Sequence, residues 1–133
     1  CHMDNRIAKD VPVGEYLTKP ELDRTLNLDT HKKLLDLGVT IGLDTWGMPV
    51  TNNAFFMPDD FERLKALITL LDLGYGDQIT LGCDFSSKIM GRTYGGYGCT
   101  RFLEFALPML EQNGHGDAVR KLVIDNPARI LAY

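Results

Sequence analysis

One pattern occurs twice in this chain and limits its folding more than any other feature. "LLDLGVTIGLD" at residues 34–44 returns as "LLDLGYGDQITLGCD" at residues 70–84. Each copy reads as a helix end, a glycine turn, an apolar strand and a terminal Asp. Repeated helix–strand units imply parallel strands covered by helices. The strands over 39–43 and 79–83 are too apolar to alternate, as expected when both faces are buried. They are therefore expected to be adjacent and parallel. In a parallel α/β barrel every strand ends on one face, and that face carries the active site. Asp44 and Asp84 would then converge there. The other reading is that each Asp caps the loop after it through backbone N–H groups. For Asp44, ahead of "TWG", both readings stand. For Asp84, ahead of a loop of Ser, Lys, Arg and Tyr, the functional reading leads.

The flanking elements follow from local signals. Residues 29–37 read as a short helix with Asp29 as its cap and Gly38 in the left-handed position after it. Residues 45–58 read as a loop. "PDDFERLKALITLLDLG" is the clearest helix: Pro58 and two acids at its start, apolar residues at helical spacing, and Gly74 at its end. A glycine-rich loop follows Asp84. "TRFLEFALPMLEQNG" reads as a helix that Pro108 kinks or breaks. "GDAVRKLVIDN" and "PARILA" read as two short helices.

Bulk properties exclude several classes. The 133 residues make one ordinary domain by length. A net charge of -4 with no basic stripe argues against nucleic acid. The apolar runs fall short of a membrane span, and no secretory signal opens the chain. Cys1, Cys83 and Cys99 form an odd set with no CxxC pair, which argues against a disulfide scaffold and for a cytoplasmic setting. A complete barrel takes roughly 200 residues or more, and this chain shows only two clear strands. The expectation is α/β: the C-terminal portion of a (β/α)8 TIM barrel, about strands 6 or 7 to 8, incomplete on its own. The opening "CHMDN" reads either as a cloning scar or as native chain that begins inside a larger domain.

Taken together, "GLDTWG", "GYGDQITLGCD", "YGGYG" and "NPARILA" resemble the C-terminal part of the phosphotriesterase family, in the amidohydrolase superfamily. The resemblance runs from His2 to the end, interrupted between Asn5 and about Asn27. It implies a barrel with two divalent metal ions, usually zinc, at the C-terminal face. It also implies that "HMD" is native, with His2 a metal ligand. Asp84 would be both a metal ligand and the catalytic proton acceptor for a metal-bridging hydroxide. Residues 6–26 would be an insertion after the His2 strand. Two departures stand out: "GCD" replaces the usual "SHD", and Tyr97 stands where His is frequent. The family's other ligands come from the first five strands, so the 133-residue chain alone is expected to be inactive.

The expected activity is metal-dependent hydrolysis of an ester, foremost a lactone, with a phosphorylated sugar lactone among the candidates. Alternatives are phosphotriester hydrolysis, or a non-catalytic partial barrel that binds a partner through open strand edges. The expected partners are the small-molecule substrate and the remainder of the barrel. A homodimer is compatible with the open edges. The substrate-binding candidates are Trp46, Lys88, Arg92 and Tyr94. Trp46 could line a pocket or pack over the barrel rim. Lys88 and Arg92, with the serines of "SSK" and Tyr94, could hold an anionic group or form a mobile polar loop. His31 and His115 read as solvated surface groups. The glycines of "YGGYG" let the loop turn back to the helix at Thr100.

Overall fold

A computed structural model describes Met3, Ile7 and residues 26–48, 51–52, 55–56 and 58–132. His2 lies outside the described residues, as does the segment 6–26 apart from Ile7 and Leu26.

Helix α1 spans Asp29–Asp36, strand β1 Ile41–Leu43, and helix α2 Asp60–Asp72. Two-residue strands β2 (Thr51–Asn52) and β3 (Phe55–Phe56) lie between β1 and α2, and strand β4 is Ile79–Leu81. The two halves of the repeat meet as expected. β1 and β4 pair in parallel, with Ile41 opposite Ile79, Gly42 opposite Thr80 and Leu43 opposite Leu81. The Gly82 N–H donates to the Leu43 carbonyl at 3.1 Å, extending the ladder past β4. Helix α2 is the crossover that a parallel pair requires. It turns Leu64, Ala66, Leu67 and Leu70 into the core beside Leu35, Ile41, Leu43 and Ile79.

The crossover helix has a well-defined start. Asp59 accepts from the Glu62 N–H and Glu62 accepts from the Asp59 N–H, both at 2.8 Å. This reciprocal cap satisfies two of the helix's orphan donors. Gly74 ends it at φ 88°, where a Cβ would be strained. Helix α1 differs from expectation. Its cap position is Leu28, and Asp29 sits inside the first turn, 3.2 Å from Lys32. The Asn27 side chain accepts from the Asp29 N–H instead. Residues 45–58, read as loop, contain the antiparallel β2–β3 pair.

The C-terminal third is helical with irregular turns. A π-type segment, Phe102–Ala106, runs into helix α3, Leu107–Gln112. Pro108 therefore falls inside one continuous helical run from Arg101, directly after its π-type turn, and interrupts the regular ladder without ending the helix. The two short helices expected next are one continuous run: α4 (Gly116–Arg120), a π-type segment (Lys121–Asp125) and α5 (Asn126–Leu131). Asn126 starts α5 and explains the "NPAR" stretch. Its buried amide donates to the carbonyls of Gly76 at 2.8 Å and Ile79 at 2.7 Å. Arg129 donates to the Asp77 carbonyl at 2.5 Å. Two side chains from the last helix thus hold the approach to β4.

His31 is fully buried, against the expectation of a surface group. Its Nε2 lies 2.7 Å from the Met3 carbonyl. The reason is spacing: Leu28, His31 and Leu35 share one helical stripe, and all three are buried. His115, also read as exposed, is partly covered and sits 3.3 Å from Asp72. No helix among the described residues is long and apolar enough to cross a membrane.

Candidate active site at the strand ends

Beyond β1 and β4 the chain does two different things. After Leu43 it enters a packed polar cluster. Trp46 is fully buried, donates from Nε1 to the Leu43 carbonyl at 3.0 Å and packs near Phe105. The indole is therefore in the core, which is the rim-packing alternative for this residue. Gly47 has φ 77° and donates its N–H to Asp60 Oδ1 at 2.9 Å. Asp60 also accepts from Arg63 at 3.1 Å and from Arg101 at 2.7 Å. Arg63 is fully buried and donates from Nε to the Thr45 hydroxyl at 3.1 Å. Arg101 lies over the rings of Tyr97 and Phe105, at 4.0 and 4.3 Å from their centroids.

After Leu81 the chain stays open. Asp84 is exposed and has φ 38°. It is the one non-glycine residue with positive φ among the described residues. Asp tolerates that region better than most residues, but the conformation still costs energy. A backbone held there marks functional sites more often than ordinary loops. The two strand ends are neighbours: a Cβ on Gly82 would come within 3.1 Å of the Asp44 Cβ, so glycine permits that approach. Asp44 itself is half-buried.

The loop after Asp84 is ordered by its own backbone. Short 3-10 turns form at Lys88–Met90 and Arg92–Tyr94. Met90 is buried and its carbonyl accepts from the Gly98 N–H at 2.8 Å. A Cβ on Gly96 would lie 2.3 Å from the Ile89 carbonyl oxygen, so only glycine fits there. Gly95 and Gly98 have φ of 90° and 79°, and the chain turns back to the helical run as expected. Lys88 and Tyr94 are exposed. Arg92 is engaged: it donates to the Tyr97 carbonyl at 3.3 Å and the Thr100 hydroxyl at 3.0 Å, and pairs with Glu104. Glu104 is held below the usual carboxylate range, first by the Thr100 hydroxyl and then by Arg92. Arg92 is thus a latch closing the loop onto the helical run. A depression of about 490 Å³ beside it is lined by Phe85, Arg92, Cys99 and Glu104 among others.

Cys83, where the family often has His, is half-buried and donates to the Cys99 carbonyl at 3.1 Å. Burial pushes its thiol pKa up, and the nearby Cys99 and Asp84 add to the shift. As to metals, no group of three or more His, Cys, Asp or Glu side chains placed to hold an ion occurs among the described residues. The exposed Asp84 carboxylate is a donor of the kind that divalent ions take.

Comparisons with known proteins agree with this arrangement. The phosphotriesterase family model matches residues 16–131. The N-acetyltaurine hydrolase of Salmo salar is 35% identical over 119 residues, covering 84% of this chain and 34% of that protein. Among solved structures, the phosphotriesterase homology protein of Escherichia coli, complexed with phosphate in its active site, superposes with a TM-score of 0.66. It is 30% identical, over 77% of this chain and 34% of that one. A protein whose organophosphate hydrolysis was engineered from a weak promiscuous lactonase superposes with a TM-score of 0.65. It is 26% identical, over 80% and 35% of the two chains. The chain spans about a third of the length of the curated relative it matches. The solved neighbours imply the TIM-barrel fold, to which the parallel β1–β4 pair conforms. With the family model covering most of its length, this chain belongs to the phosphotriesterase family.

Proposed function

We propose that this chain is the C-terminal portion of a hydrolase barrel that cleaves an acyl bond in a small substrate carrying a remote anionic group. The observation that carries the reading is Asp84: an exposed carboxylate at a strand end, held at positive φ. Each of β1 and β4 has a single hydrogen-bonded neighbour strand among the described residues, which agrees with a pair that sits inside a larger closed sheet.

Asp84 would accept the proton of the water that attacks the acyl carbon, then return it to the leaving group. His2 and Asp84 would be this chain's share of the ligands for two divalent ions, zinc being the expected metal. Such ions, when bound, lower the pKa of water and polarise the acyl oxygen. Lys88, exposed four residues beyond Asp84, would pair with the anionic group and fix the substrate's orientation. Tyr94 would add a wall to the same loop.

The leading bond is the amide of an N-acylated amino sulfonate or amino carboxylate. The relative named for N-acetyltaurine hydrolysis supports this, because that substrate is an amide with a remote sulfonate. A lactone is the second reading, supported by the lactonase-derived neighbour.

The test is Asp84→Asn in the intact barrel, assayed on N-acetyltaurine, a carboxylated lactone and a neutral phosphotriester. Expected is a loss of kcat/KM of roughly 10²–10⁴-fold on the acyl substrates, with Tm little changed at so exposed a site. Normal turnover by Asp84→Asn would refute the role. A wild type that cleaves only the phosphotriester would refute the substrate class.

A further inference from the structure

We propose that Cys83 and Cys99 are a thiol pair that closes reversibly into a disulfide, tying the end of β4 to the base of the helical run that begins at Arg101. The Cys83 sulfur is 3.1 Å from the Cys99 carbonyl oxygen, so it already lies against the backbone of the residue it would bond. The Cys99 sulfur hangs from that same residue, one rotatable Cα–Cβ bond away. A disulfide needs the two Cβ atoms about 3.5–4.5 Å apart, a spacing that the backbone sets. The 3.1 Å contact brings the two backbones close, and rotation about each Cα–Cβ bond then turns one sulfur toward the other. Both residues are free thiols in this structure.

Exposure sets the order of events. Cys99 is exposed and lines the open depression beside the loop, so it meets a soluble reagent first. The oxidant is a low-molecular-weight disulfide. The Cys99 thiolate attacks one sulfur, forms a mixed disulfide and releases one small thiol. The half-buried Cys83, as thiolate, then attacks the Cys99 sulfur and expels the second. Two protein thiols are oxidised and one external disulfide is reduced to two thiols. The bond encloses residues 84–98, including Asp84 and Lys88. Oxidation would therefore fix the whole loop in one arrangement.

The experiment needs no activity assay and is independent of the proposed reaction. The intact barrel carrying Cys1→Ser is incubated with oxidised glutathione, natively and in denaturing urea, then digested and mapped by mass spectrometry. Expected is a product lighter by two hydrogens, with the peptides of Cys83 and Cys99 joined. Closure should be roughly tenfold or more favoured in the native chain, because the fold raises the thiols' effective concentration above that of a flexible loop. Reduction should restore both thiols. A stable glutathione adduct on Cys99 with Cys83 still alkylatable would overturn the proposal. So would equal closure in urea, which would mean that sequence proximity and not the fold makes the pair. Differential alkylation of the unsubstituted chain reads the same pairing should Cys1→Ser fail to fold.

Discussion

The strands β1 and β4 carry nearly the same sequence and end on the same residue, yet their C-terminal ends differ in structure. Past β1, Thr45, Arg63, Asp60, Arg101 and the Gly47 amide form one connected, largely buried cluster beside a buried tryptophan. Past β4, Asp84 is exposed in a costly backbone conformation and leads into a surface loop. A buried, connected polar network contributes rigidity. An exposed acid at positive φ carries a conformational cost that the surrounding loop must offset. In barrels, conserved architecture and reacting groups often lie side by side on one face. Here the buried cluster and the exposed acid lie on adjacent strands, with Gly82 allowing the two ends to approach.

The largest effect that could break this contrast is at Asp60. It takes hydrogen bonds from the Gly47 amide and from both arginines, one fully buried. Asp60→Ala leaves Arg63 as a buried charge without its carboxylate. The expected loss is about 3–5 kcal/mol, the usual result of removing one partner of a buried pair. Urea unfolding followed by Trp46 fluorescence measures it. A loss under about 1 kcal/mol would mean that water or a shifted side chain replaces Asp60. The β1 end would then be no more rigid than the β4 end.

Much of the fold was legible, because periodicity and punctuation are local signals. The parallel pairing followed from the repeat, and the α2 boundaries from Pro58, the two acids after it and Gly74. The misreadings have particular causes. His31 was legible in principle, since it lies three residues after Leu28 and four before Leu35, but its neighbours Lys32 and Lys33 carry the pattern of a solvated face. Asp60 reads as a helix-start acid beside Asp59. Only tertiary packing brings Arg101 to it across forty-one residues. Arg92 reads as a free cation because its partner Glu104 is contributed by a different element. Asp84 was legible as an acid at a strand end, but its positive φ follows from how the loop folds back, and no single residue type encodes that. His2 cannot be compared, since it lies outside the described residues.

A smaller effect should separate Lys88 from Arg92 within the β4 loop. Lys88 is the cation assigned to the substrate, and Arg92 the one latched to Glu104. Lys88→Ala in the intact barrel should lower kcat/KM for an anionic amide or lactone by about tenfold to a hundredfold. That is the worth of a charge-assisted contact of about 1.5–3 kcal/mol. A neutral analogue of the same acyl bond should be cleaved nearly as before. Arg92→Ala should instead affect both substrates alike, by loosening the loop. Equal losses on charged and neutral substrates for Lys88→Ala would show that Lys88 also supports the loop, and would remove the anionic-substrate reading.

The smallest effect concerns the latch itself. Glu104 lies below its ordinary pKa of 4.5, first because the Thr100 hydroxyl donates to it and second because Arg92 does. The ionised form is therefore favoured in the folded chain. A carboxylate with a depressed folded pKa contributes its stabilisation fully above the unfolded value and loses it as pH falls through the folded one. The window thus opens near pH 4.5 and extends below it. Because the group is at the surface, solvent and salt screen the contact, and global stability should hardly register the change. The loop should register it. Amides that close the loop, such as Gly96 and Gly98, should exchange faster as the latch is protonated. Carbon-detected titration of the Glu104 side chain should give a midpoint below 4.5, and Thr100→Ala should move it back up. A midpoint at or above 4.5, with the protection of Gly98 unchanged through the same range, would show that the pair holds nothing. The order of the β4 loop would then rest on Met90 and the glycine turns alone, and the two strand ends would differ less in ionic bonding than the structure indicates.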